Sequence, residues 1–316
     1  SFCNEAGVFR KCKETAEEME SLIGNRKNCK RYGIISERKA ATDMKNQTEY
    51  RVPCINRSLH LKVEVPGSKS ITNRALLMAA MAEGTSVLHG VLFSDDSEYF
   101  LKALEDLGFP IEKDKEKKCV TVTGFGGEIP KKSGEIFVGS AGTAARFLTA
   151  FLAMNDGSYR LDATEQMKKR PMKELLLALE VLGAKFVYEE EKYHFPFRVE
   201  GIKENLGEQE VFLVIDRSSQ FLSALLMTAP LRVDLLRIFL KGKRNARSYV
   251  EMTEQMMKQF GHIGVHQVGE NDYEVERCKY EARNYEIEPD VSAACYFYAM
   301  AAVTGGSAVV QRMRED

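Results

Sequence analysis

From residue 58 onward, apolar and polar positions follow two rhythms that return at a nearly constant interval. Leu59, Leu61, Val63 and Val65 alternate with polar residues, which predicts a strand, and Pro66 stops it. A Ser/Gly-rich turn, Gly67-Ser68-Lys69-Ser70, then opens a helix of small and apolar residues from Arg74 to Ala82. The same turn-and-helix element recurs as Gly139-Ser140-Ala141-Gly142-Thr143 before Ala144 to Met154, and as Arg217-Ser218-Ser219-Gln220 before Phe221 to Pro230. Its fourth copy is Pro289-Asp290-Val291-Ser292 before Ala293 to Val303. Successive starts at 67, 139, 217 and 289 lie 72, 78 and 72 residues apart, the mark of an internally repeated architecture.

A second element keeps step with the first. Leu101, Leu104 and Leu107 precede Gly108; Leu176, Leu179 and Leu182 precede Gly183; Met256, Met257 and Phe260 precede Gly261. Apolar residues three or four apart give a helix one buried face, and the glycine supplies a left-handed C-terminal cap. Short strands around a charged turn follow, such as Val120 and Val122, or Phe186 and Val187 before Phe197 and Val199. Each unit therefore reads β-α-β-α-β-β, and the fold class is α/β. Three units are complete, and a fourth has begun where the sequence stops at Asp316. The small-residue helices are expected inside the domain and the amphipathic ones over its strands.

The helix starts carry the candidate chemistry. Unpaired N–H groups and the positive end of the helix dipole suit an anion, and Lys69 and Arg74 add full charges beside the first turn. Three such turns gathered at one end of a domain predict a site for a small polyanion. Ser70, Ser218 and Ser219 can serve equally as N-caps, and Ser140 and Thr143 read as caps of the second small-residue helix.

Other motifs fail. A phosphate loop of the Walker type needs glycine where Ser68 and Val63 stand, and Gly124-Phe125-Gly126 does not open a helix. No G-x-S-x-G elbow exists. His262 and His266 are four apart, but Gly261 and Gly264 interrupt any helix that would align them, so no metal site is assigned.

Composition narrows the class further. The 316 residues suffice for about two domains, and 44% of them are hydrophobic, enough for a sizeable core. A formal net charge of −1 argues against a nucleic-acid binder, so any cationic site is local. No apolar run reaches a membrane span, and no signal-peptide core is present at the N-terminus. Seven cysteines without a C-x-x-C pair fit reduced thiols in a cytoplasmic protein. Residues 1–56, with a possible charged helix from Glu14 to Leu22 and a basic run from Asn25 to Arg31, read as an extension of unknown role.

Taken together, Pro66 to Ala80, Gly139 to Arg146, Lys169-Arg170-Pro171-Met172, Arg217-Ser218-Ser219-Gln220-Phe221 and Glu288-Pro289-Asp290-Val291-Ser292 resemble the successive motifs of the EPSP synthase family. The resemblance implies an enolpyruvyl transferase-like fold, an inside-out α/β barrel of two domains with three βαβαββ units each. One such domain would occupy 57–288, and 289–316 would begin a truncated second. The implied activity transfers the enolpyruvyl group of phosphoenolpyruvate to the 5-hydroxyl of 3-phosphoshikimate, releasing phosphate, in the biosynthesis of chorismate. No cofactor and no metal is implied, and the partners are the two small substrates, with neither nucleic acid nor membrane, for a protein monomeric when intact.

By the same resemblance, Lys69 lies between both substrates, and Ser70 and Arg74 bind 3-phosphoshikimate, Arg74 by gripping its carboxylate edge-on. Ser218 and Ser219 bind its phosphate, Gln220 touches both ligands, and Tyr249 lines the shikimate pocket. Gly142 and Arg170 contact phosphoenolpyruvate, the glycine by admitting a close backbone approach. Arg146 matches a family arginine and receives no ligand contact. Ala246 stands where the family has serine, with Ser248 nearby as its replacement. The family's general base falls beyond residue 316, so no catalytic residue is assigned within the chain, and Asp290 belongs to the fourth helix start. Two other readings stay open: a non-catalytic anion-binding lobe, and an enolpyruvyl transferase acting on UDP-N-acetylglucosamine.

Overall fold

The computed structural model describes residues 55–313, apart from 217, 243–246 and 270. The charged helix and basic run expected before residue 55, Arg217 of the third motif, and Ala246 therefore lie outside the described residues. The chain forms two compact units, one comprising 66–289 and the other built from the segments on either side of it.

In chain order, β1 (His60–Val63) leads to a first repeat of α1 (Lys69–Met81), β2 (Glu83–His89), α2 (Asp95–Asp106), β3 (Ile111–Asp114) and β4 (Cys119–Phe125). The second repeat holds β5 (Ser133–Phe137), α3 (Gly142–Ala153), β6 (Ser158–Asp162), α4 (Glu165–Lys168), α5 (Lys173–Val181), β7 (Lys185–Tyr188) and β8 (Phe197–Glu200). The third holds β9 (Leu206–Val214), α6 (Gln220–Thr228), β10 (Val233–Lys241), α7 (Arg247–Gln259), β11 (Val265–Gln267) and β12 (Asp272–Glu276). Strand β13 (Asn284–Glu286), helix α8 (Val291–Thr304) and strand β14 (Ser307–Val310) complete the described chain.

The second and third repeats fold alike. Each makes a four-stranded sheet in which the first two strands are parallel, joined through a small-residue helix, and the last two add antiparallel: β5-β6-β8-β7 and β9-β10-β12-β11. The first repeat differs at one strand. Its sheet reads β13-β2-β4-β3, so the place of the leading strand goes to Asn284–Glu286, parallel to β2, and not to the alternating run ending at Val65. That run supplies β1, which pairs in parallel with β14 from His60↔Ser307 to Val63↔Val310. Residues 57–65 thus part from the 57–288 domain expected from the sequence and join the other unit.

Burial follows the two helix types. All residues of α1 from Ile71 to Met81, all of α3, and Phe221 to Thr228 of α6 are buried, so these three helices form the interior of the 66–289 unit. Side chains such as Leu76, Leu148 and Leu225, with no exposed surface, contribute about 1.5–3 kcal/mol each. The amphipathic helices α2, α5 and α7 lie outside them. Each ends two residues before a glycine with positive φ, Gly108 at 92°, Gly183 at 107° and Gly261 at 87°, where a side chain would be strained. Phe260 at the end of α7 packs on Tyr285 of β13, with ring centroids 5.1 Å apart, and so carries the third repeat round to the first sheet.

The other unit has a small core of Val65, Ala294 and Val310. Helix α8 was expected to pack inside a domain, yet within this unit only Ala294 and Ala301 are buried and Tyr296 is 74% exposed. Asp290 caps the helix, its Oδ1 accepting the Ser292 N–H at 2.9 Å. Among the described residues, no helix is long and apolar enough to cross a membrane.

Candidate functional site

The starts of α1, α3 and α6 differ from those of the surface helices α2 and α5, while α7, like the first three, has no acidic residue in its first turn. None of α1, α3 and α6 has an acidic residue in its first turn, whereas α2 begins with Asp95, Asp96 and Glu98. The cap residues of α3 and α6, Ala141 and Ser219, make no side-chain capping bond. The first-turn N–H groups at α3, and those at α6 other than the Gln220 N–H that Ser218 Oγ accepts, are therefore left for something else to satisfy. Of these three, α1 alone has an N-cap side-chain bond, from Ser68, whose Oγ accepts the Ile71 N–H at 3.4 Å; Ser70 lies inside the first turn. The hydroxyl of Ser140 bonds Thr164 at 2.7 Å, so it ties a loop and caps no helix.

Two buried arginines hold these helix starts together. Arg74 is 2% exposed, and its Nε donates to Thr253 Oγ1 at 2.7 Å. Its Nη2 donates to Ser223 Oγ at 3.2 Å and to the Tyr249 carbonyl at 3.3 Å, and Nη1 donates to the Ser70 carbonyl at 3.0 Å. The guanidinium lies 5.2 Å from the centroid of the Phe147 ring. Arg74, Phe147, Ser223 and Tyr249 all belong to the first two turns of α1, α3, α6 and α7. Contacts among them set four helix starts at one level. The edge-on grip of a carboxylate expected of Arg74 does not match this arrangement: a guanidinium has five N–H bonds, four are committed to the protein, and one on Nη1 remains.

Arg146 makes the second junction and is 1% exposed. Its Nη1 donates to the Gly142 carbonyl and to Gln220 Oε1, both at 2.9 Å, and its Nη2 donates to the Pro171 carbonyl at 2.9 Å. The start of α3, the start of α6 and the loop between α4 and α5 are thus held by one side chain. Burial pushes both arginines down to about 10, assisted at Arg146 by neighbouring Arg170 and opposed by Glu174. Both stay cationic at neutral pH. The sequence reading gave Arg146 no contact, although a charge inside the run Ala144-Ala145-Arg146-Phe147-Leu148 already signalled a buried group in need of partners.

Above this junction, Gly142 is the first residue of α3. A Cβ there would lie 2.6 Å from both terminal nitrogens of Arg170 and 2.7 Å from Nη1 of Arg146. Arginine heads occupy the space that the missing side chain leaves. Arg170 is exposed, with a single long bond of 3.4 Å from Nη1 to the Ser140 carbonyl.

The remaining candidates surround the same helix starts. Lys69 is half-exposed at the start of α1, its Nζ 3.0 Å from Oδ2 of Asp96, a partner the sequence reading did not name. Ser218 Oγ accepts the Gln220 N–H at 3.2 Å, which leaves the hydroxyl proton to donate outward. Tyr249 is 39% exposed in the first turn of α7. The arrangement offers cations and hydrogen-bond donors on one end of the unit, with Asp96 the acidic neighbour bonded to them.

His262 is fully buried beneath β12, its Nε2–H donating to the Glu276 carbonyl at 3.1 Å and its Nδ1 accepting the Gly264 N–H at 3.3 Å. Both ring nitrogens are occupied, so the residue is structural. Among the described residues, no cluster of three or more His, Cys, Asp or Glu side chains is placed to hold a metal.

Known proteins share this chain's pattern. The family model for EPSP synthase (3-phosphoshikimate 1-carboxyvinyltransferase) matches residues 55–316. A 3-phosphoshikimate 1-carboxyvinyltransferase of Trichormus variabilis is 44% identical over 266 residues, covering 84% of this chain and 62% of the relative. One from Erwinia tasmaniensis is 40% identical over 254 residues, covering 78% and 58% respectively. The solved EPSP synthase of Acinetobacter baumannii superposes with a TM-score of 0.72 at 26% identity, over 83% of this chain and 57% of that one. The chain therefore spans about three-fifths of the length of the relatives it matches. Its repeats, its α/β sheets and these likenesses agree, and the chain belongs to the EPSP synthase family.

Proposed function

We propose that the protein from which this chain comes transfers the enolpyruvyl group of phosphoenolpyruvate to the 5-hydroxyl of 3-phosphoshikimate. The 66–289 unit is the lobe that holds 3-phosphoshikimate. One observation carries this reading: three buried helices start at a common level without acidic residues, with Lys69, Arg170 and free hydroxyls around them. Such an end binds a ligand dense in phosphate and carboxylate oxygens, and it does so with dipoles that need no reorganisation.

In this reading Ser218 and Ser219 take the 3-phosphate at the start of α6, and Gln220 reaches both substrates. Ser70, Tyr249 and the remaining Nη1 proton of Arg74 face the rest of 3-phosphoshikimate. Lys69 stands between the substrates, and Arg170, above Gly142, takes an anionic group of phosphoenolpyruvate. Holding two anions side by side is the entropic part of the catalysis. Proton transfer to the methylene carbon and from the hydroxyl needs an acid and a base, and none of the residues named here fills those roles. The reading carries with it a monomeric, cytoplasmic enzyme acting on small molecules.

Isothermal calorimetry of the chain with 3-phosphoshikimate and, separately, with UDP-N-acetylglucosamine tests the proposal. Saturable binding of the first alone is the expected result. Binding of the second alone would move the assignment to the other enolpyruvyl transferase, and binding of neither would remove it.

A further inference from the structure

The junction at Arg146 fixes more than the positions of three segments. A guanidinium carries donors only, so the atom of Gln220 that lies 2.9 Å from Nη1 must be the carboxamide oxygen. With the oxygen committed, the amide is held in one of its two flips, and its NH₂ group faces away from Arg146. No protein acceptor takes those two N–H bonds among the described residues, and Gln220 is partly exposed. Its backbone N–H is bonded to Ser218 Oγ, which leaves the serine proton free to donate as well. Gln220 and Ser218 are thereby each left with protons to donate.

We propose that Arg146 is a positioning residue that commits Gln220 to present N–H donors to an anionic oxygen, and so excludes a ligand hydroxyl acting as donor from that subsite. This deepens the proposed function and rests on it, since the anion in question is 3-phosphoshikimate. Arg146 itself does not touch ligand in this scheme. Three of its N–H bonds are spent on Gly142, Gln220 and Pro171, and its face packs 5.4 Å from the centroid of the Phe221 ring.

The proposal makes binding and stability move in opposite directions. Gln220→Glu keeps an acceptor for Arg146 and makes the bond charge-assisted, yet it replaces the outward donors by a second carboxylate oxygen. Gln220→Met deprives Arg146 of its partner and presents nothing to the ligand. The thermal midpoint is expected to rank the glutamate variant at or above wild type and the methionine variant below. Affinity for 3-phosphoshikimate, by calorimetry, is expected to rank wild type first, the methionine variant several-fold weaker, and the glutamate variant at least tenfold weaker.

If Gln220 serves only to satisfy Arg146, affinity will follow stability and the glutamate variant will bind within twofold of wild type. That result overturns the inference and leaves the proposed function standing. Wild type failing to bind 3-phosphoshikimate removes both. Arg146→Lys, which keeps the charge but cannot reach all three acceptors, is expected to lose affinity by tenfold or more. The Gln220 pair decides the matter even if that buried substitution prevents folding.

Discussion

The contact between Gly142 and Arg170 yields a sharp test of how the site is built. Gly142→Ala places a methyl group 2.6 Å from both terminal nitrogens of Arg170 and 2.7 Å from Nη1 of Arg146. Comfortable contact requires roughly 3.5 Å, so one or both heads must retreat by about 0.8 Å or more. They are unequally free to do so. Arg146 is buried and anchored by three bonds of 2.9 Å, while Arg170 is exposed and held by one of 3.4 Å. Arg170 therefore moves.

The cost to folding should sit near the lower end of the 1–3 kcal/mol typical of overpacking, because a flexible side chain yields. The cost to binding is larger: one charge-assisted contact is worth about 1.5–3 kcal/mol, or about 10- to 150-fold in affinity. Calorimetric titration of phosphoenolpyruvate into protein saturated with 3-phosphoshikimate reads that loss, and urea unfolding reads the stability. The mechanism is tested by a double-mutant cycle. In an Arg170→Ala background the same glycine substitution should have little further effect. Fully additive losses, or an affinity for phosphoenolpyruvate unchanged by Gly142→Ala, would refute the account.

Other outcomes are expected. Replacing Ser218 and Ser219 together by alanine should weaken 3-phosphoshikimate by about 2 kcal/mol or more, measured in the same titration; unchanged affinity takes both hydroxyls out of the site. Arg74→Met leaves Thr253, Ser223 and the Tyr249 carbonyl without their shared donor and should cost about 2–4 kcal/mol of stability, read as a lowered urea midpoint. Asp96→Asn breaks a partly exposed ion pair with Lys69 and should change stability by less than about 1 kcal/mol. His262 makes the fold acid-sensitive. Burial lowers it from 6.5 to about 4, so below 6.5 the unfolded chain takes a proton that the folded one refuses. Stability should therefore fall as pH drops from 6.5 towards 4, by about 3 kcal/mol in all. A His262→Gln variant that kept the same slope over that window would show that other groups cause it.

Local features of this molecule are legible in its sequence because they are set locally. The small-residue helices, the amphipathic helices and the glycines at 108, 183 and 261 follow from a 3.6-residue period and one backbone angle. Pairing between distant strands is another matter. The alternation of Leu59, Leu61 and Val63 announces a strand without naming its neighbour, and β14, some 247 residues later, proves to be that neighbour. Asn284–Glu286 is three residues long and has too little pattern to announce that it completes the first sheet. In the site, residue types pointed to an anion, but their division of labour was not visible. Arg74 and Arg146 look alike in a motif, and only packing reveals that both are spent chiefly on other protein groups.

The placement of β13 bears on how such a chain matures. Strand β2 leaves the ribosome well before the partner for its outer edge, which is translated nearly two hundred residues later. Until then the nascent first sheet offers an open edge to any stray segment. The three repeats, for all their likeness, are thus obliged to reach the native state as one cooperative body, with the final strand of the 66–289 unit locking its first repeat.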